Sequence, residues 1–93
     1  MRINVEYLSY LLRQITKKES EEINFDSVGN PTLSDLLRLI ENIYGNGIGD
    51  LIFNKNTIPP NVFILVNGNR AIDLELKLKE GDQVSFFTPV SNG

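Results

Sequence analysis

Apolar and polar residues alternate along residues 3–7 at the start of the chain. A period of two is typical of a strand with one buried face, so we predict a strand with Ile3, Val5 and Tyr7 facing the core. The alternation then ends. Residues 8–15 group Leu8, Leu11, Leu12 and Ile15 at helical spacing, which predicts a short helix or turn.

A second strand is predicted at residues 21–25, with Ile23 and Phe25 facing inward. Between it and the first strand lies a charged stretch, residues 16–20. Two neighbouring strands joined in this way favour an antiparallel pair.

The clearest helical pattern begins after the loop at residues 26–31. Thr32 is a good N-cap residue, and Asp35 three positions later resembles a capping box and favours the helix dipole. Gly45 is a typical C-cap residue. The apolar positions between these caps form one stripe: Leu33, Leu36, Leu37, Ile40, Ile43 and Tyr44.

The second half of the chain contains shorter patterns. Residues 46–61 carry several Gly and Pro residues and are predicted to be irregular, with Leu51, Ile52 and Phe53 packed beneath. The apolar run at residues 62–66 predicts a central strand or one covered on both faces. Asn67-Gly68 is a strong hairpin signal.

Three further segments complete the pattern. We predict a short return strand at residues 71–74, a turn around Gly81 at residues 77–82, and a final strand at residues 84–88. Val84 and Phe86 then share its core face, whereas Ser85 and Phe87 share the other.

This order of elements predicts an α+β domain: a mixed sheet of about five strands with one main helix across one face. That architecture is the β-grasp, or ubiquitin-like, fold. A length of 93 residues allows one small domain. We therefore predict a single domain over residues 1–93, with a flexible C-terminal tail at residues 89–93.

Charge and hydropathy limit the possible partners. The net charge of −3 argues against nucleic-acid binding, which needs clustered Lys and Arg. The longest apolar runs are too short for a membrane span, and the alternating start does not resemble a signal peptide. We expect a cytoplasmic protein that binds neither nucleic acid nor a membrane.

The chain contains no His and no Cys, which excludes the usual general base, thiol chemistry and the Ser-His-Asp arrangement. Glu21 and Glu22 would point to opposite faces of a strand. Asp73 and Glu75 could share one strand face, but a solvated edge explains them more simply. An independent enzyme is therefore not expected, nor is a bound metal or cofactor.

The C-terminal end carries the candidate chemistry. A dense strand is followed by Pro89 and a small polar segment that ends in Gly93. If Gly93 is the terminus, its carboxylate stands on a slim tether, and a glycine lets another backbone approach closely. The simpler interpretation is an ordinary frayed terminus.

Residues 81–93, with their Gly-Asp turn, apolar strand, proline-containing segment and terminal glycine, closely resemble the end of the MoaD/ThiS sulfur-carrier family. The Val66-Asn67-Gly68 stretch also resembles the family pattern. The Phe-Phe-x-Pro-Val sequence at residues 86–90 is more similar to MoaD, the small subunit of molybdopterin synthase. At the penultimate position the chain has Asn92 where the family has glycine.

The resemblance implies a chemistry performed on the terminus. A ubiquitin-activating-type enzyme would use ATP to adenylate the carboxylate of Gly93, and sulfur would then replace the adenylate to give a thiocarboxylate. The larger molybdopterin synthase subunit would accept this sulfur carrier. No cofactor would be bound by this chain itself.

The resemblance also implies which residues contact partners: Phe87, Pro89, Val90, Ser91 and Asn92. An exposed Phe87 would be an aromatic docking anchor, although it could instead be covered by residues 46–61. Two other functions stay open, namely a ubiquitin-like modifier joined to other proteins through Gly93 and an interaction module that is never activated. The sulfur acceptor could belong to the molybdopterin, thiamine or tRNA pathway.

Overall fold

The computed structural model describes residues 1–26, 29–45, 47–52 and 57–88, with only the backbone of residue 50. Phe53 and the predicted tail at residues 89–93 lie outside the described residues. The elements are β1 (Arg2–Tyr7), α1 (Tyr10–Thr16), β2 (Ser20–Asn24), α2 (Leu33–Tyr44), α3 (Ile48–Ile52), β3 (Phe63–Val66), β4 (Asn69–Arg70) and β5 (Gln83–Phe87).

The strands form one mixed sheet in the order β2-β1-β5-β3-β4. Its central pair, β1 and β5, is parallel, whereas β2 pairs antiparallel with β1 and β3 pairs antiparallel with β5. Strands β2 and β3 therefore run in the same direction, and α2 lies in the connection between them. This arrangement confirms the predicted β-grasp fold.

Helix α2 has the predicted ends. The Asp35 amide donates to the Thr32 hydroxyl (3.2 Å), and the Thr32 amide donates to the Asp35 carboxylate (2.9 Å), so the capping box is complete. Gly45 is the C-cap residue, with a φ of 59°. The helix buries Leu33, Leu36, Leu37 and Ile40 completely.

The last turn of α2 differs from the prediction. Ile43 is 50% exposed, so its assignment to the buried stripe is wrong. Tyr44 is half-buried and packs against the core. The fully buried part of the stripe thus ends at Ile40, and the last turn of the helix is only partly covered.

The core lies between α2 and the inner face of the sheet. Strands β1 and β5 contribute the predicted inward residues, and all of them are buried: Ile3, Val5, Tyr7, Val84 and Phe86. Ile23 from β2 is also buried, and Phe25 packs against the core at its margin.

Helix α1 confirms the predicted short helix but buries a different face. Leu12 and Thr16 are buried, whereas Leu8 and Leu11 are 37% and 41% exposed. The helical grouping of Leu8, Leu11, Leu12 and Ile15 therefore does not form one covered stripe.

A further helix, α3, occupies part of the segment that was predicted to be irregular. Ile48 and Ile52, four positions apart, are both buried in the core. Five residues are too few to form a stable helix alone, so packing against α2 rather than propensity stabilises it.

The return strand is shorter and earlier than predicted. Strand β4 consists of Asn69–Arg70, and residues 71–74 are not a strand. The chain turns toward α2 instead: the carbonyls of Leu74 and Leu76 accept the first two amides of the helix, those of Ser34 and Leu33. These contacts satisfy donors that a helix cannot pair internally, and Asp73 and Glu75 consequently lie in a turn.

The two stretches that carry the family resemblance meet at the start of β5. The side-chain amide of Asn67 donates to the Asp82 carboxylate (2.9 Å), and its carbonyl accepts the Gln83 amide (3.0 Å). Asn67 and Gly68 both have positive φ, at 53° and 86°, as the predicted hairpin turn requires. Asn67 thereby links this hairpin to β5.

Within the described residues, no helix is long and apolar enough to cross a membrane.

Candidate functional site

Strand β5 leads from the core toward the candidate tail. Phe86 is completely buried and stacks on Tyr7, with ring centroids 6.2 Å apart. Phe87 points to the opposite face and is 40% exposed, as the alternation predicts. The alternative in which residues 46–61 cover Phe87 is therefore wrong.

Thr88 is the last described residue before the predicted tail. Its hydroxyl shares a hydrogen bond with the Ser9 hydroxyl at 2.9 Å, and both side chains are buried. We call Ser9 and Thr88 the tail-root clamp. The remaining residues of the predicted site lie outside the described part of the chain: Pro89, Val90, Ser91, Asn92 and Gly93.

Phe87 belongs to a group that we call the aromatic surface, together with Phe63 and Arg70. Phe63 is the cross-strand partner of Phe87, and their ring centroids lie 6.2 Å apart. The Arg70 guanidinium lies 4.5 Å from the centroid of the Phe63 ring, within the range of a cation–π contact. An aromatic pair beside an Arg, with Phe63 half-buried and Phe87 exposed, has the composition of a binding hot spot.

Three apolar residues near the tail-root clamp were not predicted as site residues. The Leu8 amide donates to the Phe86 carbonyl (2.8 Å), which places Leu8 at the level of Phe87. Tyr10 and Leu11 follow Ser9 in the first turn of α1 and are 72% and 41% exposed. Helical geometry could have identified Tyr10, because two positions from the buried Leu12 is the opposite helix face.

The other half of the sheet's outer face is polar and acidic. Glu6 accepts hydrogen bonds from Gln83 (3.1 Å) and from the buried Ser85 hydroxyl (3.0 Å). Glu22 is exposed on the neighbouring strand. Glu6, Glu22 and Gln83 line a shallow cavity of about 350 Å³. The outer face is thus divided into an apolar half near the tail and an acidic half away from it.

Glu21 points to the inner face, opposite to Glu22, and forms what we call the Glu21 cluster with Tyr7, Lys18 and Tyr44. Its carboxylate accepts hydrogen bonds from the Tyr7 hydroxyl (2.7 Å) and the Tyr44 hydroxyl, and the Lys18 ammonium lies 3.1 Å away. The Lys18 ammonium also lies 5.9 Å from the centroid of the Tyr44 ring.

The pKa values in the Glu21 cluster follow from these contacts. Burial alone would raise the pKa of the Glu21 carboxyl, but hydrogen bonds from Tyr44, Tyr7 and Lys18 together lower it below its usual value. Burial is the largest cause that raises the pKa of Tyr7 and of Tyr44, and the neighbouring Glu21 carboxylate raises both pKa values further. The carboxylate is therefore held in its charged form and serves as a hydrogen-bond acceptor.

The described residues contain no group of three or more acidic side chains that could hold a metal ion. The chain has no His and no Cys. The described residues here form the aromatic surface and the hydrogen-bonded clamp at the end of β5.

The sequence and the fold are both similar to those of known proteins. A model of the ThiS family matches residues 9–93, whereas no protein with a curated description matches the chain. The structure is similar to a putative molybdopterin converting factor subunit 1 from Pyrococcus furiosus, with 26% identity and a TM-score of 0.77 over 97% of this chain and 99% of that one.

Two further structures share the fold. SAMP1 from Haloferax volcanii covers 100% of both chains, with 19% identity and a TM-score of 0.80. A chain of the BexX/CysO complex from Amycolatopsis orientalis has 19% identity and a TM-score of 0.71, over 98% of this chain and 99% of that one.

The family model spans most of the chain, from α1 through the end of the sequence. The resemblance predicted from residues 81–93 and from Asn67 is thereby confirmed. The chain belongs to the ThiS family of ubiquitin-like sulfur carriers.

Proposed function

We propose that this protein carries sulfur on the carboxyl group of Gly93 and donates it in molybdopterin biosynthesis. The observation that carries the proposal is the family match, which extends through Gly93. The likeness to a putative molybdopterin converting factor subunit at 26% identity supports this pathway.

The proposed reaction takes place on the backbone carboxylate and has two steps. The carboxylate attacks the α-phosphorus of ATP, pyrophosphate leaves, and an acyl adenylate forms at Gly93. A sulfur nucleophile then attacks the acyl carbon, and AMP departs with the oxygen that linked it to the carbonyl. The product is a thiocarboxylate, in which one carboxylate oxygen has been replaced by sulfur.

The chain's own residues bind and orient; the partners supply the chemistry. The aromatic surface would dock on an adenylating enzyme of the ubiquitin-activating type and on the larger synthase subunit, with Phe87 as the central anchor. Pro89, Val90, Ser91 and Asn92 would enter the partner's channel and carry Gly93 to the reacting groups. ATP would be consumed by the activating enzyme and would not bind to this chain.

The test is intact mass spectrometry after incubation with ATP, a sulfide source and the activating enzyme of the same organism. We expect the exchange of one oxygen for one sulfur, and its loss when Gly93 is deleted. An Asn92→Gly variant is the matched control, because it restores the family's usual ending. A wild-type protein that stays unchanged while a second carrier of the organism is modified would contradict the proposal.

Further outcomes of the same experiment distinguish the sulfur carrier from a protein modifier and from an interaction module. Addition of the larger synthase subunit and the pterin precursor should return the carrier to its original mass and form molybdopterin. Accumulation of adducts with other proteins, without transfer to the pterin, would identify a protein modifier. Partner binding that survives removal of Ser91 to Gly93, with no mass change in the wild type, would identify an interaction module.

A further inference from the structure

The hydrogen bond between Ser9 and Thr88 links the start of α1 to the residue that follows β5, 79 positions away in sequence. It lies where the sheet stops. The pairing of β5 with β1 ends at Phe86, and its pairing with β3 ends at Phe87. Thr88 is therefore beyond both ladders, and its side chain takes over the anchoring that the ladders provided.

Ser9 is a rigid anchor because it already has a structural role. It is the N-cap residue of α1, and its hydroxyl oxygen accepts the Leu12 amide at 3.3 Å. Leu12 is itself completely buried. The N-cap hydrogen bond thus fixes the orientation of the Ser9 side chain independently of its contact with Thr88.

The backbone of Thr88 is restricted from the other side by the sequence. Because Pro89 follows, the ring of that proline disfavours helical backbone angles at Thr88 and favours extended ones. A fixed side chain and a restricted backbone together define the direction in which the chain leaves the sheet.

That direction has a large effect at the far end. Gly93 lies five positions after Thr88, and an extended segment of that length spans up to about 17 Å. A change of about 20° in the exit direction at Thr88 would displace Gly93 by roughly 6 Å. A misplacement of about 1 Å is enough to slow a reaction strongly.

We propose that the tail-root clamp is a positioning pair that sets the exit direction of the C-terminal segment, so that Gly93 reaches the activating site in a productive geometry. This inference rests on the proposed sulfur-carrier function. The aromatic surface binds the partner, whereas the tail-root clamp orients the C-terminal segment. Loss of the clamp should therefore lower kcat for activation and leave KM for the carrier nearly unchanged.

The discriminating variant is Thr88→Val, which removes only the hydroxyl and leaves the Ser9 cap on Leu12. From the usual value of one neutral hydrogen bond, we expect kcat to fall about three- to tenfold. Thr88→Ser keeps the hydroxyl and should restore kcat.

Thr16→Val is the matched control. Thr16 is also a buried hydroxyl residue of this region, and it donates within α1 to the Leu12 carbonyl (3.0 Å). Its removal should destabilise the fold at least as much without changing kcat, because the Thr16 hydroxyl also accepts the Lys18 amide (3.2 Å). Equal losses of kcat in Thr88→Val and Thr16→Val would show a merely structural role and overturn the inference.

The two proposals fail in different ways. A wild-type protein that gains no sulfur overturns the proposed function and, with it, the aiming role of the clamp. A wild-type protein that is activated, with kcat unchanged in Thr88→Val, overturns the clamp alone. An increase in KM with unchanged kcat would assign Thr88 to docking instead.

Discussion

The two faces of the sheet each carry a pair of aromatic rings beside a cation. On the inner face Tyr7 and Tyr44 are joined by the Glu21 carboxylate, and Lys18 lies next to both the carboxylate and a ring. On the outer face the aromatic surface places Arg70 over Phe63, beside Phe87.

The Glu21 cluster and the aromatic surface differ in how far their rings and polar atoms are already covered by the protein. In the Glu21 cluster both tyrosine hydroxyls donate to the Glu21 carboxylate, the Tyr7 ring is completely buried and the Tyr44 ring is half-buried against the core. In the aromatic surface the rings carry no polar atoms, yet Phe87 remains 40% exposed. Burial of the same ring against a partner would be favourable. The first arrangement stabilises the fold, whereas the second is suited to binding.

The sharpest test compares the adjacent residues Phe86 and Phe87. Phe86→Ala should lower the free energy of unfolding by about 3–5 kcal/mol, because it leaves a cavity in the core. Phe87→Ala should change it by less than about 1 kcal/mol, because much of the ring is already in water. Urea denaturation of the two variants measures this difference.

The effect of Phe87→Ala should instead appear in the activation kinetics. Phe87→Ala is expected to raise KM for the activating enzyme roughly 30-fold, as for a hot-spot residue worth about 2 kcal/mol. Similar unfolding free energies for the two variants, or an unchanged KM in Phe87→Ala, would remove the distinction between the two faces.

The next test removes the acceptor of the Glu21 cluster. Glu21→Ala leaves the Tyr7 and Tyr44 hydroxyls without their shared acceptor, so the free energy of unfolding should fall by about 1–3 kcal/mol. Activation kinetics of the folded protein should not change. Glu22→Ala is the matched control, since Glu22 is exposed on the opposite face, and it should shift stability by less than about 0.5 kcal/mol.

The pH dependence should follow from the lowered pKa of Glu21. A carboxyl whose pKa is lower in the folded than in the unfolded state stabilises the fold above its unfolded pKa, near 4.5. That stability is lost as the pH falls through the folded pKa. Denaturation of wild type and Glu21→Gln between neutral and acidic pH isolates this contribution as their difference.

We expect the difference to shrink as the pH falls below about 4.5. A constant difference across this range would show that Glu21 does not titrate with folding. Tyr7 and Tyr44, whose pKa values are raised, should limit stability at the alkaline end, because the unfolded chain loses its tyrosine protons first.

The smallest effect is expected from the two cations. Arg70→Ala should raise KM for the activating enzyme a few-fold, because one exposed cation–π contact is worth about 0.5–1 kcal/mol. Lys18→Ala, its counterpart in the Glu21 cluster, should leave KM unchanged. KM measured at low and high salt would show whether Arg70 also contributes electrostatic attraction, and equal KM values for both variants would contradict the assignment.

Several elements could be predicted because their signals are local. The Thr32–Asp35 capping box, the stripe from Leu33 to Ile40 and the Asn67-Gly68 turn each depend on residues a few positions apart. Helix α3 gave no such signal, since Gly49 disfavours a helix and packing of Ile48 and Ile52 stabilises it.

The candidate site was predictable in part. Alternation along β5 placed Phe86 inward and Phe87 outward. The exposed Leu8 and Leu11 were missed, because helical spacing alone does not show which side of a short helix meets the core. The roles of Gly93 and the residues before it stay predictions, based on the family and outside the described residues.

The sequence by itself determined every strand except β4, the main helix, the family and the chemistry that is impossible without His or Cys. Only the tertiary structure decided which distant residues meet. Phe63 reaches Phe87 through strand pairing, and Ser9 reaches Thr88 because β1 lies beside β5. Such contacts depend on strand order, which is set by how all the apolar faces are buried together and not by any local pattern.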